Sequence, residues 1–107
     1  MPKVTVSVPH DHPPDELVTA ARPYIEKMVE DFEGDDLKME WQGTKGEFSF
    51  RSLMFQIHGE VTVDDKAITV QVDLPFAAML FKDKVEKAIT KNLTRAIESG
   101  GASPESA

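Results

Sequence analysis

With 107 residues, 40% of them hydrophobic, the chain is long enough to bury one core; having no cysteine, it has no disulfide framework, thiol nucleophile or thiolate metal site. Its net charge of −7 argues against general nucleic-acid binding, where a basic face supplies the affinity. The longest unbroken apolar run, Leu74 to Phe81, is eight residues and too short to span a membrane.

Met1-Pro2-Lys3 leads straight into alternation, so no secretory leader is expected; together with the absence of cysteine this reads as a cytoplasmic protein. Lys3 to Val8 alternates strictly, with Val4, Val6 and Val8 on one face of a half-buried strand. Pro9 to Pro14 ends that strand and opens a helix, with Asp15 and Glu16 against its positive end. Leu17, Ala21, Tyr24, Met28 and Phe32 recur at helical spacing. Pro23 falls inside the stripe and should kink or split the helix near Arg22, because it removes a hydrogen bond and crowds the preceding turn. Gly34-Asp35-Asp36 should stop it.

Four strands follow. Leu37, Met39 and Trp41 alternate with polar residues, Gly43 to Gly46 reads as a hairpin loop, and Phe48 and Phe50 continue the pattern. A turn is expected between Arg51 and Met54. Phe55, Ile57, Gly59, Val61 and Val63 share a face, Asp64-Asp65-Lys66 turns the chain, and Ile68, Val70, Val72 and Leu74 share the inner face of the last strand. Connections this short demand antiparallel neighbours. The first strand should pair at one edge of this four-strand meander. A final helix is predicted from Pro75 or Phe76 to Ser99, with Ala77, Ala78, Phe81, Val85, Ala88, Ile89 and Ala96 buried and Gly100-Gly101 as its stop. Residues 1–101 thus read as a single α+β domain in which a curved sheet packs against a long C-terminal helix, similar in outline to a reduced helix-grip fold. Residues 102–107 read as a disordered polar tail.

Few residues suggest chemistry. His10 and His12, two imidazoles at i and i+2 on extended chain, are the candidates for a metal or acid/base site. The competing reading is a polar helix-entry loop, and no third ligand is set by spacing, so no metal or other cofactor is assigned. His58 lies on the polar side of its strand with Gln56 and Glu60, and His58 or Asp73 is the candidate third ligand for the imidazole pair. Asp35-Asp36 and Asp64-Asp65 sit in turns, where aspartate bonds locally. On the last helix, Lys84, Lys87, Lys91 and Arg95 form a basic stripe, read either as a partner contact or as a solvated flank. Phe76, Met79 and Leu80 fall off the buried stripe, and either contact a partner or pack under neighbouring elements. Asn92 points toward the apolar stripe and needs a partner of its own.

Val8-Pro9-His10, Trp41-Gln42-Gly43, Gly46-Glu47-Phe48-Ser49-Phe50, Phe55-Gln56-Ile57-His58-Gly59 and above all Asp73-Leu74-Pro75-Phe76-Ala77-Ala78-Met79, with Phe81-Lys82, Lys84 and Val85-Glu86, resemble the polyhydroxyalkanoic acid system family. The likeness runs from about residue 2 to residue 97. The sequence departs from the family's usual pattern at Met54, where a small residue is common, and at Pro23. The resemblance implies a bacterial cytoplasmic protein connected to storage-polyester metabolism, and carries no enzymatic activity and no catalytic residues with it. The expectation is a non-enzymatic accessory or binding protein that meets a polyhydroxyalkanoate granule, or a granule-associated protein, through Phe76, Met79 and Leu80, with Lys84, Lys87, Lys91 and Arg95 as the polar rim. The alternative is a small apolar ligand held between sheet and last helix. A third reading is an enzyme using His10, His12 or His58 with Asp73.

Overall fold

Period-two alternation puts one apolar row on each strand, and the hydrogen-bond register lines those rows up on a single face. In the computed structural model, which describes residues 3–99, five strands form one antiparallel sheet: β1 (Lys3–Pro9), β2 (Gly34–Gln42), β3 (Lys45–Ser52), β4 (Phe55–Val63) and β5 (Ala67–Asp73). Their order is β1-β5-β4-β3-β2, so β1 closes the edge beyond β5 and the other four form the meander. Val4 lies opposite Val72, Val6 opposite Val70 and Val8 opposite Ile68; Val61 then faces Val70, and Phe50 faces Ile57. The reverse face carries Lys3, Thr5, Gln71, His58, Glu60 and Glu47, and is open to solvent.

Two helices share the cover of the apolar face, where the sequence suggested the last helix alone. The first, α1 (Pro14–Asp31), packs toward the β2 side, and the second, α2 (Lys82–Ser99), lies over β1 and against α1. Helix α1 opens with Pro14 in its first turn, and the Pro13 carbonyl accepts from the Glu16 and Leu17 amides at 3.1 and 3.2 Å. It does not break at Pro23. One missing backbone donor costs about 3 kcal/mol in a helix interior. Seven buried side chains, from Leu17 through Tyr24 to Val29, hold both halves in place, and each contributes on the order of 1.5–3 kcal/mol when it is a large aliphatic. The helix ends at Asp31, and Glu33, not Gly34, takes the left-handed turn at φ 55°.

The predicted C-terminal helix also differs at its start. Phe76–Phe81 is a 3₁₀ segment, and α-geometry begins only at Lys82. Three residues per turn eclipse positions i and i+3. Ala78 and Phe81 therefore share the side turned to the sheet, although Phe81, expected to be buried, stays half exposed at the end of the segment. Ala77 and Leu80 face solvent, so Ala77 leaves the stripe that a 3.6-residue wheel assigned it. Farther along, Val85, Ile89, Asn92, Leu93 and Ala96 are buried and Ala88 is half-buried. The Gly100-Gly101 stop and the 102–107 tail lie outside the described residues. No described helix is long and apolar enough to cross a membrane.

Aromatic rings fill the β3–β4 part of the core. Phe48 and Phe50 stack at 6.2 Å between centroids, and Phe32 stacks on Phe50 at 6.1 Å. Gly59, directly opposite Phe48, leaves room for that ring: an added Cβ would stand 2.7 Å from Phe48 Cε1. Phe48 is buried among neighbours and cannot swing clear. Gly59→Ala is therefore expected to lose about 2–3 kcal/mol of stability through overpacking, read as a fall in urea midpoint at unchanged m-value.

Candidate functional site

The residues after α1, the 3₁₀ segment and the first turn of α2 come together at one end of the apolar face, which they cover only in part. A cleft of about 170 Å³ opens there. Phe50, Ile57 and Val72 of the sheet, with Leu74 just beyond β5, floor it, Ala78 and Val85 wall it, and Leu53 and Phe81 flank its mouth. Asp31, Glu33 and Lys84 stand at the charged rim. Ser52 supplies the one hydroxyl, and donates its hydrogen to the Phe32 carbonyl at 2.6 Å.

Leu53 and Phe81, which line the cleft, belong to a larger set of exposed apolar side chains that the core does not use, with Met54, Phe76 and Leu80 beside them in sequence. Met54 is 93% exposed, Leu80 89%, Phe76 81%, Leu53 63% and Phe81 47%. These are the exposed large hydrophobic residues of the described chain, and they come from two irregular segments: the turn between β3 and β4, and the 3₁₀ stretch. Leu53 holds φ at 57°, a region that favours glycine or asparagine and costs a branched side chain about 1–2 kcal/mol. Of the two readings left open for Met79, packing holds: it is half-buried against the core and anchors the 3₁₀ segment. Phe76, Leu80 and Phe81 are thus the free apolar surface of this stretch.

The basic stripe divides. Lys84, Lys87 and Arg95 are exposed and in no ion pair among the described residues, while Lys91 bonds Asp31 Oδ2 at 3.1 Å. Asn92, 1% exposed, donates from Nδ2 to the same oxygen at 3.1 Å and to the Ala88 carbonyl at 2.8 Å. The amide thus bonds within its own helix and also clamps α2 to the last residue of α1. Partial burial works to raise the Asp31 carboxyl's pKa, but the Asn92 hydrogen bond and then the Lys91 ammonium outweigh it and hold the value below normal.

His10 and His12 tie loops to neighbouring elements. His10 Nδ1 accepts the His12 amide at 3.0 Å and its Nε2–H donates to the Asp64 carbonyl at 2.7 Å, so both ring nitrogens are engaged. His12 Nε2–H donates to the Ile97 carbonyl at 2.8 Å, one of the carbonyls that a helix end leaves without a partner. The Asp64 carboxylate accepts the Lys66 and Ala67 amides at 2.8 Å each, which pulls its pKa down and fixes the turn. His58 lies opposite Asp73 on the outer face, in a polar hollow with Lys3, Glu47 and Glu60, and no hydrogen bond joins the two among the described residues. His10 and His12 sit at the opposite end of β5, about 20 Å from Asp73 by strand rise, so the histidines form no joint site. No cluster of three metal-ligating side chains occurs among the described residues.

Because its folded-state pKa is lowered, Asp31 stabilises the fold at pH values above its unfolded-state pKa, and the contribution is lost as pH falls through the folded value. Asp31→Ala should cost about 1 kcal/mol at pH 7, and the gap from wild type should close below about pH 4, as read by urea titrations across pH.

No curated protein matches the chain. The crystal structure of TTHA0849 from Thermus thermophilus shares the fold, with a TM-score of 0.55 over 94% of this chain and 97% of that one at 14% identity. The family model described as "Putative polyhydroxyalkanoic acid system protein" matches residues 4–97, nearly all of the sheet and of α2. The chain belongs to that polyhydroxyalkanoic acid system family.

Proposed function

We propose that this protein is a non-enzymatic accessory of cytoplasmic storage-polyester metabolism that binds the apolar surface of a polyhydroxyalkanoate granule. The observation that carries the reading is the collar of Leu53, Met54, Phe76, Leu80 and Phe81 on two irregular segments at one end of the sheet. Isolated exposed apolar residues are ordinary, but a set on two segments that meet at a cleft marks a contact surface. Lys84, Lys87 and Arg95 form the polar rim, and Lys91 is left to its pair with Asp31. A granule-associated protein is the alternative partner of the same surface.

The cleft favours a second reading, a small apolar ligand held between sheet and α2. Its 170 Å³ is below the usual range of about 300–1,000 Å³ for drug-sized ligands, so the ligand is small.

Purified granules test the first reading by co-sedimentation. Wild-type protein should pellet, and Phe76→Ser with Leu80→Ser should reduce binding by about tenfold or more, because each side chain contributes about 1.5–3 kcal/mol when fully covered. The urea midpoint should not fall, since neither residue is buried. Wild-type protein that stays wholly in the supernatant would sink the reading. Leu53→Asn should gain about 0.5–1 kcal/mol of stability from relieved backbone strain while binding granules more weakly.

A further inference from the structure

We propose that the cleft behind the collar is a subsite for a short neutral acyl ester, and discriminates against the corresponding free acid. The inference rests on the polyester reading for the origin of such a chain. Size, polarity and charge each narrow the ligand. An apolar cavity of about 150 Å³ holds a benzene molecule, so 170 Å³ takes a hydrocarbon segment of roughly six to eight non-hydrogen atoms. The floor of Phe50, Ile57, Val72 and Leu74 offers no hydrogen bond, and the Ser52 hydroxyl hydrogen is already given to Phe32.

Charge decides the head group. Asp31 is kept ionised and paired by Lys91 and Asn92, which leaves Glu33 and Lys84 as opposite charges on the rim. The rim is neutral as a whole. A carboxylate seated there meets Lys84 together with Glu33, and loses hydration without a net opposite charge to replace it. An ester carries the same hydrocarbon with no charge to desolvate. Leu53 and Phe81 at the mouth make the cleft continuous with the collar, so a chain emerging from an apolar surface reaches the floor without crossing a charged barrier.

Full-length protein titrated with methyl butyrate, methyl hexanoate and sodium hexanoate at pH 7 tests this, read by amide chemical shifts. Methyl hexanoate should bind with a Kd of about millimolar, move Ile57, Val72, Ala78 and Val85, and bind about tenfold or more tightly than hexanoate. Methyl butyrate should bind more weakly than methyl hexanoate. Ala78→Leu, which adds three carbons inside the cleft, should abolish the ester shifts. The head-group comparison on wild-type protein stands even where that variant does not fold. Hexanoate binding as tightly as its ester overturns the proposal, as does the absence of shifts at the cleft with every ester. Granules pelleting wild-type protein while no ester binds would overturn the subsite alone. Esters binding at the cleft while granules leave the protein in solution would support the subsite and sink the granule contact.

Discussion

The fold depends on covering one apolar face of a five-stranded sheet with two helices. Each strand presents its apolar row to the same side, and α1 and α2 pack on each other as well as on the sheet. Helix α2 covers the β1 edge and α1 the β2 half, but their ends do not meet. Between Asp31 and Lys82 the sheet end is left to a 3₁₀ segment and a two-residue turn. The cleft and its collar are therefore a consequence of how the cover is divided, and the clamp of Asp31, Lys91 and Asn92 fixes where the gap falls.

Much of this was legible in the residues, for a definite reason. Alternation repeats over seven to nine residues in each strand, long enough that only one register buries every apolar side chain, and short connections leave no topology for the meander except antiparallel neighbours. The edge position of β1 followed from the same logic. The failures occurred where a local rule competes with packing. Pro23 should kink or split its helix, and the helix runs through it unbroken, with seven buried side chains along its length. The run from Phe76 reads as α-helix because its composition suits one, yet Pro75 and the geometry of the sheet end impose three residues per turn, which turns Ala77 outward and Met79 partly inward. The clamp at Asp31 joins residues 61 apart in sequence, and no periodicity encodes it. Leu53 at positive φ carries no sequence signal at all, since turn chemistry predicts glycine or asparagine there.

The outer face of the sheet makes a useful contrast. Glu40, Glu47 and Glu60 stand directly opposite one another across β2, β3 and β4, a row of like charges relieved only by Lys45 at 3.9 Å from Glu60 among the described ion pairs. Directly opposed like charges destabilise a strand pair. That face is costly in charge yet thoroughly solvated, and its acids help account for the protein's acidity. It presents water-loving groups wherever the strands are regular, so apolar exposure is confined to the other side and to one end.

That confinement is the argument for function. Nothing in the folding of this chain requires Leu53 and Met54 at a turn tip: a smaller polar pair would relieve the backbone and expose less hydrocarbon. Nor does the 3₁₀ segment need Phe76 and Leu80, because Ala78 and Met79 already tie it to the core. The proposed apolar contact would compensate the strain at Leu53 and the exposure of Phe76 and Leu80. Both segments lie at the partly covered end of the apolar face, where Leu53 and Phe81 line a cleft whose floor is hydrocarbon. A surface arranged this way suits an uncharged, chain-like apolar partner better than an ionic or folded polar one.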